Sequence, residues 1–152
     1  MDQPSGFIAQ NDYDFIFNRV PRACVDMVII TSQGLLLTRR NIEPYKNLWH
    51  LPGGGVRFKE TFEETAARIA LKEFGVAIRI TDIIGACQII NDDLGPDKRR
   101  HSISTVVAAD IIGGTPCRTD ETSEIGYFTE LPDQSEMHPY HGPYLRDKKI
   151  LR

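Results

Sequence analysis

The chain has 152 residues, 41% of them hydrophobic and 26% charged, and a formal net charge of −3 at pH 7. This length predicts one domain, 1–152, large enough for a single well-covered core. The slightly acidic balance argues against a nucleic-acid surface, since the one basic cluster, Lys98-Arg99-Arg100, is short. No apolar run approaches the length of a membrane span, and the start of the chain lacks a signal-peptide pattern.

The cysteines give a further indication of the compartment. Cys24, Cys87 and Cys117 are odd in number and widely spaced, and none has the spacing of a metal site. We therefore interpret them as reduced thiols of a cytoplasmic protein.

The first stretch, about 1–20, is predicted to be an N-terminal arm. Within it 11–19 forms either a short helix or an irregular segment that gathers Tyr13, Phe15, Ile16 and Phe17. These side chains either cover one end of the core or offer an aromatic face on which a flat heterocyclic base can stack.

Two strands of a hairpin are predicted next, over 23–31 and 35–40. Asp26 interrupts the first strand, and a buried carboxylate there needs a partner, so it is either paired inside the fold or faces a cleft. Arg39 and Arg40 alternate across the second strand, which predicts that they point to opposite faces.

The sequence after a short strand at 49–52 and the glycine run 53–55 predicts a helix over 62–74. Thr61 and Glu64 form a capping box at its start, and Gly75 suits the left-handed residue that ends a helix. The expected packed face comprises Phe62, Ala66, Ile69, Ala70 and Phe74.

Beside this face lies a ridge of charged side chains at steps of four: Glu60, Glu64, Arg68 and Lys72. Such a ridge is typical of a solvated, salt-bridged surface. The glycine run before it favours a second interpretation, since glycine lets backbone oxygens approach a ligand, and a helix carboxylate can then share a hard cation with them.

Two long strands are predicted over 81–90, with Gly85 as a possible bulge, and over 101–112. Asp92, Asp93 and His101 could reach a substrate from the connecting loop, although solvated surface positions explain them more simply. A late strand at 124–128 and a short helix at 144–151 complete the predicted elements.

The stretch 53–76 resembles the Nudix box, whose pattern is G-x5-E-x7-R-E-U-x-E-E-x-G-U with U a bulky apolar residue. The matching positions are Gly54, Glu60, Arg68, Glu73, Gly75 and Val76. Ile69 and Lys72 stand where two helical Glu residues belong, and Ala70 takes a bulky position. Pattern alone supports only a mixed α and β domain. The resemblance implies an α/β fold, a Nudix-type α/β/α sandwich with a mixed β-sheet.

These departures make the box similar to that of GDP-mannose mannosyl hydrolases, which keep only the last Glu, use a single Mg²⁺ and displace at the anomeric carbon. The similarity extends softly over most of the chain, through Asp26, 33–40, 49–54, the acidic loop 91–93 and the tail 137–145. It implies that Gly53 and Glu73 hold one Mg²⁺, or Mn²⁺. Ordinary Nudix members draw a Glu from the region of Glu121, which makes Glu121 a candidate for a further ligand or for the base.

The resemblance also implies roles for the basic residues. Arg40 and Arg68 would offset charge on the leaving group, unless Arg68 is instead a structural partner of Glu60. The candidate substrate-binding residues are Asp26, Arg39, Arg40 and His101.

The general base is harder to assign. Mannosyl hydrolases place a His shortly before the late strand, where this chain has Glu121-Thr122-Ser123-Glu124. Glu121 is the first candidate for base and Glu124 the second, since a carboxylate can serve if its pKa suits. His138 or His141 could substitute if the tail folds over the cleft.

The sequence therefore predicts a Mg²⁺-dependent hydrolase whose small-molecule partner is a nucleotide sugar such as GDP-mannose. The products would be a nucleoside diphosphate and a free sugar. Two alternatives stay open: a nucleoside triphosphate or diphosphate pyrophosphatase, and a catalytically silent nucleotide-binding domain, which Ile69 and Lys72 favour. A homodimer is possible, since many relatives pair.

Overall fold

The apolar, β-branched stretches of the sequence form strands, and the capped stretch after the glycines forms the longest helix. The structure, a computed structural model, describes residues 7–91, 101–120, 122 and 124–151. The helices and strands are α1 (Gln10–Phe17), β1 (Arg22–Val28), β2 (Ile30–Thr31), β3 (Gly34–Arg39), β4 (Trp49–His50), β5 (Gly53–Gly55), α2 (Phe62–Phe74), β6 (Ala77–Ile90), β7 (His101–Gly113), β8 (Glu124–Phe128) and α3 (His141–Asp147).

The strands form two sheets. The first has the order β5-β1-β7-β6, in which β1 runs parallel to β7 and the other pairs are antiparallel. In the second sheet β3 pairs antiparallel with β2, β4 and β8. The predicted α/β class with a mixed sheet is confirmed.

Alternation along the strands divides the core between two helices. Val25 and Met27 of β1 pack in one apolar cluster with Phe74 of α2, whereas Val28 packs in a second cluster with Leu145 of α3. Successive side chains of a strand point to opposite faces, so Asp26 lies on the same face as Val28. The sequence thus directs this carboxylate to the α3 side of the sheet.

Helix α2 has the predicted bounds and ends. The Thr61 hydroxyl accepts from the Glu64 N–H, the Glu64 carboxylate accepts from the Thr61 N–H, and Gly75 adopts a left-handed φ of 72°. The prediction for the packed face is wrong at one residue: Phe62 is 39% exposed, and Thr65 is buried instead. The reason is local, because the Thr65 hydroxyl donates to the inward-turned carboxylate of Glu60.

The remaining boundaries differ from the sequence prediction in instructive places. The arm contains a short helix, α1, which is one of the two alternatives predicted for it. The strand predicted over 23–31 is divided, because 30–31 pairs with β3 in the other sheet. The register of β6 shifts between Ile83 and Gly85, as a bulge there requires. Helix α3 starts at His141, three residues before the predicted start at 144. None of the described helices is long and apolar enough to cross a membrane.

The capping box makes a testable contribution to stability. Thr61→Ala removes the acceptor for the Glu64 N–H, and we expect the free energy of unfolding to fall by about 1 kcal/mol. Thr61→Ser retains the acceptor and should stay close to the parent. Chemical denaturation monitored by circular dichroism measures both variants, and equal losses in the two would contradict the capping role.

Candidate active site

A cleft opens where the glycine strand β5 forms the edge of the first sheet. Two cavities of about 340 and 430 Å³ adjoin there, and both are lined by Tyr13, Arg22, Gly53 and Gly54. The smaller cavity extends along α2 and the larger one extends towards α3. The cleft therefore has two chemically different ends joined by the glycine strand.

Close backbone packing explains the first glycine of this strand. Gly53 pairs with Asp26 across the sheet. A Cβ atom at position 53 would collide with the Asp26 carboxylate and with the Val25 carbonyl oxygen. Only glycine lets β5 lie this close to β1, and this closeness brings the Gly53 backbone to the cleft.

The α2 end of the cleft carries the predicted metal ligands. Glu73, in the last turn of α2, lines the same cavity as Gly53. Among the described residues no three His, Cys, Asp or Glu side chains cluster closely enough to hold an ion by themselves. One carboxylate and one carbonyl still fit Mg²⁺, which takes oxygen ligands, keeps several waters and completes its shell with substrate phosphates.

Arg68 is engaged with Glu60 in a bidentate ion pair. Its Nε and one terminal nitrogen donate to the two carboxylate oxygens of Glu60 at 2.8 and 2.9 Å, and the same terminal nitrogen donates to the Gly55 carbonyl at 2.9 Å. Glu60 also accepts from the Arg57 N–H and the Thr65 hydroxyl. The geometry favours the structural alternative for Arg68: it binds the glycine strand to α2.

The two altered positions of the box have different surroundings. Ile69 is 4% exposed and packs in the α2 core cluster, so it closes this position to any ligand atom. Lys72 lines the smaller cavity next to Glu73. The α2 end thus has an apolar and a cationic side chain where the family pattern has two carboxylates.

At the α3 end Asp26 lies in a buried polar group. Its Oδ2 accepts from the Ser104 hydroxyl at 2.6 Å and faces His141 Nε2 at 3.2 Å. Burial alone raises the pKa of Asp26, but the charge and hydrogen bond of His141 and the Ser104 hydrogen bond together lower it below its ordinary value. Asp26 is therefore paired inside the fold and also lines the larger cavity.

The hydrogen bonds assign the ring protons of the cleft histidines. His141 Nδ1 accepts a hydrogen bond from the Leu51 N–H at 3.0 Å, so a neutral ring carries its proton on Nε2. That Nε2–H donates a hydrogen bond to Asp26. His50 Nδ1 donates to the Leu51 carbonyl, and its Nε2 accepts from the Thr38 hydroxyl. Both rings are held at both nitrogens.

His138 is held differently. Its Nδ1 accepts from the Tyr140 N–H, which places the proton of the neutral ring on Nε2. The ring stacks on His141 at 4.2 Å between centroids and meets Tyr45 edge-on at 4.8 Å. Burial beside His141 and His50 holds the pKa of His138 far below its ordinary value, and burial lowers the pKa of His50 to about 3. The tail therefore folds over the cleft and lines it with the neutral imidazole of His138 and with His141.

Arg40 and Arg39 lie on opposite sides of the sheet. Arg40 lines the larger cavity, and its Nε donates to the Pro44 carbonyl at 2.6 Å. Burial lowers the pKa of Arg40, and the charge of Glu73 offsets part of this effect. Arg39 stacks over Trp49 and pairs with Glu124 at 3.5 Å. Arg39 and Glu124 form an ion pair with each other away from the cleft. Neither of them lines either cavity.

The last candidates have different outcomes. His101 starts β7 one position before Ser102, which lines the larger cavity, so strand alternation turns His101 to the other face. Asn91 is buried and lines that cavity. Glu121, Asp92 and Asp93 lie outside the described residues, so their roles stay predictions.

The residues that line the cleft and that sequence reasoning missed include Arg22, Tyr45 and His50. A usable signal existed for His50, since a histidine directly before Leu51-Pro52 and the glycine run is at the entrance to the ligand loop. Arg22 and Tyr45 had no comparable signal, because only the folded arm and loop bring them to the cavity.

The glycine strand, the capped helix and the mixed sheet between helices define a Nudix-type domain. The chain belongs to the NUDIX family: the family's NUDIX domain model matches residues 20–148.

Individual relatives agree with this assignment. The low-salt glycan biosynthesis protein Agl8 of Haloferax volcanii is 29% identical over 95% of this chain and 92% of its own length. An ADP-ribose pyrophosphatase of Methanocaldococcus jannaschii is 32% identical over 71% of this chain and 62% of its own length. The solved structure of a MutT protein from Methanosarcina mazei Go1 superposes with a TM-score of 0.72 at 20% identity, over 87% of this chain and 96% of that one, and supports the fold.

The Glu60–Arg68 pair predicts a pH-dependent loss of stability. The hydrogen bond from Arg68 lowers the pKa of Glu60 to about 2, whereas an unfolded chain has a Glu pKa of about 4.3. The lower folded value means that this stabilisation is complete above the unfolded pKa and is lost as the pH falls towards 2.

Glu60→Gln should therefore lower the free energy of unfolding at pH 7 by about 1–2 kcal/mol. The difference from the parent should shrink between about pH 5 and pH 2. Denaturant titrations across this range test it, with the exposed Glu130→Gln as control. A difference that is independent of pH would contradict the ion pair.

Proposed function

We propose that the protein is a Mg²⁺-dependent hydrolase of a nucleoside diphosphate linked to a sugar. GDP-mannose is the first substrate to test, with a nucleoside diphosphate and a free sugar as products. The observation that carries the proposal is the two-ended cleft, in which Gly53 and Glu73 lie at one end and Asp26 with the buried histidines lies at the other.

The chemistry of each end suits one part of such a substrate. Phosphate oxygens need cations, and the α2 end offers the Glu73 and Gly53 oxygens for an ion together with the basic side chains of the cleft. A sugar needs many directed hydrogen bonds and little charge, which the carboxylate of Asp26 and the neutral ring of His138 can supply.

The relatives support the same substrate class. One is named for glycan biosynthesis, and glycans are assembled from sugars activated as nucleotide conjugates. The other is named for ADP-ribose, which is itself a nucleoside diphosphate linked to a sugar. A nucleoside diphosphate linked to a sugar is thus the class that the second name states, and it is also the kind of compound that glycan assembly consumes.

Each charged residue of the cleft has a separate role in this proposal. A bound Mg²⁺, or Mn²⁺, held by Glu73 and the Gly53 carbonyl would neutralise phosphate charge and orient the diphosphate. Arg40 would share the charge of the leaving diphosphate, because a guanidinium matches phosphate oxygens in a bidentate manner. Arg68 would act indirectly, by binding Glu60 and the Gly55 carbonyl and so holding the glycine strand against α2.

The general base is proposed from what the cleft offers. His50 and His141 are bonded at both ring nitrogens, and His138 points its protonated Nε2 away from the Tyr140 N–H. None of them offers an unprotonated nitrogen in this arrangement. Glu121 therefore stays the first candidate for the base, and the histidines act by positioning the substrate.

Cleavage at phosphorus is the second candidate function, since a named relative is a pyrophosphatase. It would release a nucleoside monophosphate and a sugar phosphate. Ile69 and Lys72 argue against it, because phosphoanhydride cleavage in this family uses several helix carboxylates to hold ions, and neither of these side chains can bind a cation.

The role of Glu73 can be tested directly. Glu73→Gln removes the charge that would anchor the ion, and we expect Mg²⁺-dependent turnover to fall by about 100-fold or more. The melting temperature should stay close to that of the parent. Glu63→Gln, an exposed change on the same helix, is the matched control. Parent-like turnover in Glu73→Gln would remove Glu73 from the metal site.

The position of attack is measured by hydrolysis of a panel of nucleotide sugars with Mg²⁺ in ¹⁸O-labelled water. Label in the free sugar identifies attack at carbon and supports the proposal. Label in a phosphate product identifies pyrophosphatase chemistry. Binding of these nucleotides without turnover would identify a silent binding domain.

A further inference from the structure

Arg22, at the start of β1, lies where the two cavities meet. It lines both of them, together with Tyr13, Gly53 and Gly54. The Nudix box contains no position for it, since β1 precedes the box by some thirty residues. Its placement is a property of this chain's own arm and strand.

Two aromatic rings of α1 hold the guanidinium from one side. The Arg22 guanidinium carbon lies 5.0 Å from the centroid of the Tyr13 ring and 5.7 Å from that of the Phe17 ring. Such contacts fix the plane of the group without using its N–H donors in hydrogen bonds. The donors therefore stay available to a ligand in the cleft.

The third glycine of β5 makes room for this side chain. A Cβ atom at position 55 would collide with three atoms of the Arg22 guanidinium group. The backbone carbonyl of Gly55 already accepts a hydrogen bond from Arg68. Glycine at 55 thus permits one particular placement of Arg22 against the glycine strand.

In the part of the chain that the structure describes, the charge of Arg22 has no ion-pair partner. Across residues 7–91, 101–120, 122 and 124–151, no carboxylate forms a salt bridge with this half-buried guanidinium. Asp26, on the same strand, is instead bonded to Ser104 and His141. A half-buried cation at a cavity junction, whose donors no described residue engages, is suited to an anionic ligand.

We propose that Arg22 is a phosphate-binding residue that grips the diphosphate of the nucleotide at the junction of the two cavities. The inference rests on the proposed function for the identity of the ligand. It also explains how a cleft with two fewer helix carboxylates handles the charge of a diphosphate. A fixed guanidinium supplies positive charge that other members of the family obtain through additional ions.

The test is the equilibrium binding of ADP, GDP and inorganic diphosphate to the intact protein in EDTA, measured by calorimetry. Arg22→Gln should weaken the binding of all three by about 10- to 100-fold, as expected for loss of a hydrogen-bonded charge pair. Arg22→Lys should restore only part of the loss, because a point charge lacks the planar fork. Arg19→Gln is the matched control, since Arg19 also stacks on a ring, that of Phe15, but lines neither cavity.

A second variant tests placement while the charge is kept. Gly55→Ala should displace the guanidinium and weaken binding as Arg22→Gln does, and the double variant should be no weaker than either alone. Gly113→Ala is its control, because a Cβ there meets only Ala77 at an ordinary 3.7 Å.

The outcomes separate this inference from the proposed function. Unchanged affinities in Arg22→Gln overturn it, even if the parent hydrolyses nucleotide sugars. Loss of ADP and GDP binding with inorganic diphosphate unaffected also overturns it, since Arg22 would then contact the nucleoside. Arg22-dependent binding of all three by a protein that hydrolyses no nucleotide sugar supports the inference while the proposed function fails. No binding of any probe by the parent in EDTA overturns the inference, whereas the proposed function is then decided by the hydrolysis assay with Mg²⁺.

Discussion

The contact between the Gly53 backbone and the Asp26 carboxylate determines how the rest of the cleft is arranged. No side chain larger than hydrogen fits between them, so β5 lies against β1 and its backbone faces the cavity. On one side of this contact the Glu60–Arg68 pair holds the strand to α2. On the other side Asp26 is bonded to Ser104 and His141. A single backbone contact thus connects the α2 end of the cleft to its α3 end.

The electrostatics of the two ends are complementary. The α2 end combines one carboxylate with basic side chains, an arrangement that suits phosphate together with a hard cation. At the α3 end burial keeps His50 and His138 neutral, and hydrogen bonds hold the carboxylate of Asp26 ionised. A ligand with a charged part and a polar, uncharged part matches this division better than a uniformly charged one.

Local signals in the sequence were sufficient for α2 and for the opposite directions of Arg39 and Arg40. A capping box, a C-terminal glycine and strand alternation act over a few residues and do not depend on the rest of the fold. The burial of Thr65 was not predictable in this way, because its hydroxyl donates to Glu60, which turns inward to meet Arg68. The partner of Asp26 could not be predicted either, since His141 is 115 residues away and only the packing of α3 brings the two together.

The tail that carries His138 and His141 has a consequence for how the protein is made. Its contacts to the cleft join residues 90 and 115 positions apart in the chain, and such distant pairings form only after the intervening loop has been closed. During synthesis the glycine strand and α2 emerge from the ribosome long before the tail does. A nascent chain can therefore build the α2 end of the cleft early, whereas the end lined by His138 and His141 is complete only when the tail has been added.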